Sequence, residues 1–271
     1  ENIYGKGMWA ASLRFHRGLF YVCFAANDTG KTYLYTSKSI AGPWKKQYIE
    51  GFYHDASLLF DEEKVYIAYG NKEIYITQLN EDLSAPLAGG LHRLAVSDAG
   101  NPRLGYEGAH FYKIHGKYYL FLIHSLRDRW MRTEACFVAD AVDGVFTGGD
   151  VLIDDRGYCG QGVAQGGIVD TPEGDWYAVL FQDHGAVGRI PVLVPVTWEA
   201  DFPVFGQNGR IPAQNFSQAG FHHTMQPLVQ SDDFKKMAGC SEEQEREQYG
   251  CYGFKSVWQF NHEPDLRFVK A

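Results

Sequence analysis

The sequence has no run of lysine and arginine, no CxxC or HExxH spacing, and no apolar stretch near the roughly 20 residues a membrane-spanning helix needs. The missing basic run matters because the chain is acidic: 25 basic against 33 acidic residues give a net charge of −8. Such a surface repels phosphate backbones, which argues against a nucleic-acid partner as the absent apolar stretch argues against a membrane one. The first residues, Glu1-Asn2-Ile3-Tyr4-Gly5, lack the basic region and apolar run of a signal peptide. Cysteine is sparse and odd in number, five in 271 residues, which excludes a disulfide framework. Cys23 and Cys136 lie in apolar strand-like runs and read as small buried hydrophobes, whereas Cys240 and Cys251 flank a polar loop and could pair in an oxidising compartment. No long apolar stripe of period 3.6 occurs, so helix should be scarce.

Glycine and aromatics are plentiful instead: 30 Gly, 17 Tyr, 18 Phe, with aromatics at 15%. With 45% hydrophobic and 21% charged residues, a sizeable core is possible. The mixture suits many short strands joined by tight turns, and it also suits sugar-binding surfaces.

Repetition decides the architecture. Residues 12–25, 57–70, 109–124 and 167–182 share one pattern: an apolar strand, a polar turn, an aromatic-rich strand. Their turns, such as His16-Arg17-Gly18 and His115-Gly116-Lys117, read as hairpins. Anchored on Tyr21, Tyr66, Tyr119 and Tyr177, the repeat spacings are 45, 53 and 58 residues. Further strand material follows the first three hairpins at 32–45, 73–81 and 135–142. Four strands in a repeat of this length make a β-propeller blade. The expectation is an all-β chain with four blades between about residues 8 and 206, a linker or strap over 207–255 and the opening of another domain over 256–271. The charge run at 241–250 reads as a solvated turn or short helix.

Three chemically loaded stretches each precede a hairpin: Gly7-Met8-Trp9-Ala10, His54-Asp55-Ala56-Ser57 and Tyr106-Glu107-Gly108-Ala109. A blade's innermost strand lines the channel, so these residues should converge at one mouth of the propeller. Asp55 and Glu107 come from consecutive blades and form a plausible carboxylate pair. Tyr158, Gln161 and Gln165 lie in a glycine-rich stretch before the fourth hairpin and carry no assignment.

These motifs resemble glycoside hydrolase family 43, the five-bladed propeller β-xylosidases, α-L-arabinofuranosidases and arabinanases. Met8-Trp9-Ala10 is similar to the family's IWAP segment, with Ala11 in place of its proline. Glu107-Gly108 is similar to the EGP segment of the general acid, with Ala109 in the proline position. His54-Asp55 resembles the aspartate that orients the acid and tunes its pKa. Gly185-Ala186-Val187-Gly188-Arg189 resembles the segment with a substrate-binding arginine, and Asp183-His184-Gly185 the histidine beside a central calcium. Asp232-Asp233-Phe234 and residues 258–265 are similar to the junction with a C-terminal β-sandwich.

The resemblance thus implies a five-bladed propeller, about four blades of it in this chain, followed by the start of a β-sandwich. It implies Glu107 as general acid, Asp55 as pKa modulator, Trp9, His54 and Arg189 as substrate-binding residues, and His184 beside a structural Ca2+ surrounded mostly by water. The family's catalytic base is an Asp on the first blade, well before the IWAP segment. The expectation is therefore that the first blade and the base lie outside this chain: a second polypeptide or a partner copy supplies them, or the chain is the middle part of a longer or nicked protein. Plainer alternatives are a turn-stabilising Asp55, a strand-end Glu107, a core Trp9, a surface Arg189 and a satisfied channel His184.

The implied function is an inverting glycosidase that releases xylose or arabinose from xylan-, arabinoxylan- or arabinan-derived oligosaccharides. A non-catalytic carbohydrate-binding propeller that has lost its base is the second reading. A pure interaction scaffold is the third, and it has no need of Asp55, Glu107 and Arg189 in its channel.

Overall fold

In a computed structural model, the described residues are 7–207, 209–212, 215–218 and 221–224. They form four antiparallel four-stranded sheets, each in chain order from its inner to its outer edge. Blade one is β1 (Ser12–His16), β2 (Leu19–Ala26), β3 (Lys31–Ser37) and β4 (Lys45–Ile49). Blade two is β5 (Ser57–Asp61), β6 (Lys64–Asn71), β7 (Glu73–Leu79) and β8 (His92–Ser97). Blade three is β9 (Glu107–Ile114), β10 (Lys117–Ser125), β11 (Arg132–Ala139) and β12 (Thr147–Leu152). Blade four is β13 (Ala164–Asp170), β14 (Trp176–Asp183), β15 (Arg189–Glu199) and β16 (Phe202–Phe205). The first strands adjoin in sequence, β1 with β5, β5 with β9 and β9 with β13, which is the inner ring of a propeller. A single 3-10 turn, Gly185–Val187, is the one helical element among the described residues.

The hairpins form where alternation and turn chemistry agree. Leu13 pairs Val22 across a turn in which Arg17 and Gly18 both have positive φ; His115 and Gly116 repeat this between β9 and β10. Beyond the blades, β17 (Asn215–Gln218) and β18 (Phe221–Thr224) make a two-stranded ribbon inside the segment read as a linker. The rest of that segment, the charge run, Cys240, Cys251, Asp232-Asp233-Phe234 and the proposed sandwich opening at 256–271 lie outside the described residues.

The core is three apolar layers, one between each pair of neighbouring blades. Strand alternation sends successive side chains to different layers. Leu58 and Ile67 join Cys23, Leu34 and Ile49 between blades one and two, while Leu59, Tyr66 and Ala68 turn the other way to meet Phe111, Leu120 and Leu122 of blade three. On the far side of blade three, Tyr119, Phe121 and Cys136 pack on Ile168, Leu180, Val192 and Val194 of blade four. Each such buried aliphatic side chain contributes about 1.5–3 kcal/mol.

One ionisable group interrupts the third layer. Glu134 on β11 is fully buried, and its Oε2 accepts the backbone N–H of Gln165 on β13 at 2.7 Å. Its Oε1 has no partner among the described residues. Burial pushes the carboxyl well above the ordinary carboxylate range, against the opposing pull of the Gln165 N–H. A group raised in this way stabilises the fold fully below its unfolded-state pKa and loses that contribution as the pH rises towards its folded value. Glu134→Gln removes the titration while keeping the accepting oxygen. The Tm difference, variant minus wild type, should therefore increase steadily from about pH 4 to about pH 8, as read by thermal denaturation across that range. A pH-independent difference would mean that the carboxyl does not take up a proton on folding.

Candidate active site

The inner strands of blades two and three place three ionisable side chains together. His54 and Asp55 form the turn entering β5, and Glu107 is the first residue of β9. His54 Nε2 lies 3.5 Å from Asp55 Oδ2 and 3.5 Å from Glu107 Oε2. All three ligand-type atoms fall within 4.8 Å of one another. Neither contact to the imidazole is a well-aligned hydrogen bond, so its part is mainly electrostatic.

Backbone contacts between blades fix this cluster. Asp55 adopts a left-handed conformation, φ 48°, and is buried to 5% exposure. Its Oδ2 accepts the Gly108 N–H at 3.1 Å, a bond from blade three to blade two. Glu107 is held from the other side, where Asn71 Nδ2 donates to Oε2 at 2.6 Å. Asn71 ends β6, and the next residue, Lys72, donates its N–H to the Tyr106 carbonyl at 2.6 Å. The Gly70 N–H donates to the His54 carbonyl at 3.0 Å, so one bend, Gly70-Asn71-Lys72, touches both sides of the site. Gly108 has φ +65°, and a Cβ there would stand 2.6 Å from Gln165 Cγ, so only glycine fits beneath that side chain.

The charges reinforce one another. Burial opposes a charged imidazole at His54, but the Glu107 contact and the negative charges of Asp55 and Glu107 outweigh it, and its pKa is raised. The Asp55 carboxyl is raised as well, first by burial; His54 pulls it down, and the Glu107 charge pushes it further up. The Arg189 charge also acts on Asp55 in the lowering direction.

Of the residues singled out in the sequence, Trp9, His54, Asp55 and Glu107 come together. The Trp9 ring meets the His54 ring edge-on at 4.7 Å and is 38% exposed, an aromatic face partly open to water. Arg189 starts β15, exposed, with its guanidinium carbon 4.4 Å from the centre of the Phe181 ring and within electrostatic reach of Asp55. His184 has other partners: it stacks on Tyr158 at 4.3 Å, and its Nε2 pairs with Gln182 Oε1 at 3.0 Å. Burial, then the Arg156 charge, lowers its pKa and favours the neutral ring. Asp183 already accepts from Arg132 and from the Gly185 N–H, and Gln182 donates to the carbonyls of Asp155 and Gln161. A hard cation beside His184 would find at most one ring nitrogen there, and water would have to supply most of the six to eight oxygens calcium takes. Asn71 and Gln165 are the residues the sequence left unread: Asn71 sits in no motif, and Gln165 belonged to the glycine-rich stretch without an assigned role.

The trio's spacing suits proton chemistry: two carboxyl groups and an imidazole, half closed, with an aromatic ring against the imidazole. The family model for glycosyl hydrolases family 43 matches residues 1–202. This chain belongs to that family. A "Putative beta-xylosidase" of Xylanibacter ruminicola is 32% identical over 212 residues, covering 75% of this chain and 38% of that protein. A "Non-reducing end alpha-L-arabinofuranosidase BoGH43B" of Bacteroides ovatus is 26% identical over 228 residues, covering 75% of this chain and 41% of that protein. Among solved structures, a "Bifunctional GH43-CE" protein of Bacteroides eggerthii aligns with a TM-score of 0.71 and 45% identity over 78% of this chain and 27% of its own. The family 43 chain thus spans less than half the length of these relatives.

Because the Glu107 carboxylate is what most raises the His54 pKa against the effect of burial, its removal should be visible on the imidazole. In Glu107→Gln the His54 ring should titrate at lower pH than in the wild type, as followed by NMR of the histidine ring carbons. An unchanged midpoint would show that the two side chains do not meet in solution.

Proposed function

We propose that this family 43 chain forms the acid side of an inverting exo-glycosidase site that releases xylose or arabinose from xylan-, arabinoxylan- or arabinan-derived oligosaccharides. The observation that carries the reading is the contact of Asp55 and Glu107 through one imidazole, with only Glu107 turned partly to solvent at 20% exposure. Glu107 is the proton donor to the leaving oxygen. Asp55, buried and pinned by the Gly108 N–H, stands beside it and orients the acid.

The same spacing separates Asp55 from two other roles. The carboxyl groups of an inverting pair stand about 6.5–9.5 Å apart with water between them. A nucleophile would have to reach the sugar from the face opposite the acid. Asp55 shares His54 with Glu107 on one side, leaving no room for a sugar ring between them. Water activation therefore falls to a carboxylate beyond this cluster.

In the proposed reaction a sugar ring stacks its C–H face on Trp9, and Arg189 and His54 bind hydroxyls. Glu107 protonates the departing oxygen as water attacks the anomeric carbon from the opposite face. A calcium beside His184 would support the channel and take no part in these steps.

Three measurements on the full-length protein test the reading. Glu107→Gln should lose about 10²- to 10⁴-fold in kcat/KM on substrates with poor leaving groups and far less on activated aryl glycosides. Equal losses on both would make Glu107 structural. Asp55→Asn should also lower kcat, while the first sugar product, observed by proton NMR within minutes of mixing, should carry the inverted anomeric configuration. Retention would overturn the mechanism.

A further inference from the structure

Glu134 is a buried carboxyl that the proposed chemistry does not use. It cannot meet substrate, because it is fully buried in the layer between blades three and four. Its place in the sheet is nevertheless tied to the acid. Ile123 of β10 is the register partner of Glu107 on one side and of Glu134 on the other, so a single row across blade three runs from the acid to the buried carboxyl.

A second connection crosses to blade four. Glu134 Oε2 accepts the Gln165 N–H. Gln165 has φ 58°, a left-handed conformation that costs a non-glycine residue roughly 1–2 kcal/mol. It lies in an irregularity of β13, where pairing with β14 jumps from Ala164–Phe181 to Gly167–Val179. There its side chain presses on the face of Gly108 that lacks a Cβ: a carbon built at that point would be 2.6 Å from Gln165 Cγ and 2.8 Å from its Cδ and Nε2. Gly108 follows the acid and donates its own N–H to Asp55. The path from Glu134 to Gln165, to Gly108 and on to the Asp55–Glu107 pair is therefore continuous.

We propose that Glu134 is a positioning residue: by fixing the left-handed turn at Gln165, it seats Glu107-Gly108 against Asp55 and sets the placement of the acid. The residue works as a neutral carboxyl whose accepting oxygen is the required feature. An amide should replace it, and an apolar side chain of similar size should not. The effect on catalysis rests on the reading of Glu107 as acid; the effect on geometry does not.

The test compares Glu134→Gln, Glu134→Leu and Glu107→Gln in the full-length protein, on aryl xylosides and arabinosides with good and poor leaving groups, together with NMR titration of His54. Glu134→Gln should stay within about 3-fold of wild type on every substrate. Glu134→Leu should lose on the order of 10- to 100-fold in kcat on poor leaving groups, only a few-fold on good ones, with KM little changed, because a displaced acid slows proton transfer without emptying the site. Its His54 midpoint should fall, as expected also for Glu107→Gln. Should Glu134→Leu fail to fold, Gln165→Gly, which keeps the turn and removes the side chain on Gly108, should give the same leaving-group split and the same His54 shift. Equal losses on both leaving-group classes with an unmoved His54 overturn the proposal, as does damage from Glu134→Gln as large as that from Glu134→Leu. If Glu107→Gln shows no leaving-group dependence, the acid assignment is wrong; the His54 midpoint in Glu134→Leu then still decides whether Glu134 positions Glu107.

Discussion

A propeller blade has two apolar faces and must bury both against its neighbours, and the chemistry here depends on that requirement. Leu58 and Leu59 are adjacent in sequence and belong to different core layers, as are Tyr119 and Leu120. Such alternation fixes the register of each strand, since a slip of one residue would turn every core side chain into the wrong layer. It also fixes where each inner strand begins. Asp55 and Glu107 meet because β5 and β9 enter their blades at the same height, and the Gly108–Asp55 hydrogen bond crosses at that entrance.

The site is accordingly made of joints between blades. His54 and Asp55 come from blade two, Glu107 and Gly108 from blade three, and Gln165 from blade four. Trp9 lies just before blade one, held through the Trp9 N–H to the Ala25 carbonyl at 2.9 Å. No blade carries the chemistry alone, and a change in packing between two blades reaches the carboxylates without touching them.

Much of this was legible in the residues. The four hairpins announce themselves by alternation and by polar turns, and the first strands lie where the repeats place them. The outer strands were harder. β8 and β12 carry half-exposed, mixed residues, such as Arg93 and the pair Gly148-Gly149, because an edge facing water needs no apolar period. Asp55 and Glu107 could be picked out because a charged residue at the mouth of an inner strand has few plain explanations. Asn71 could not, for its importance lies in a bend that bonds a residue 36 positions away. Glu134 was hidden for another reason: in a strand reading Arg132-Thr133-Glu134-Ala135, a lone acid looks like a solvated one, and only the arrival of blade four buries it.

The row across blade three and its neighbour in the turn before β5 arrange the carboxyl groups by access to water: Glu107 at 20% exposure, Asp55 at 5%, Glu134 at 0%. Isolation from solvent slows exchange of a proton with bulk water, and it also makes net charge harder to sustain. The outermost group of the three is thus the one that water can reach, while the innermost is sealed into the framework. Depth in the sheet divides otherwise similar side chains into one open to solvent and one closed to it.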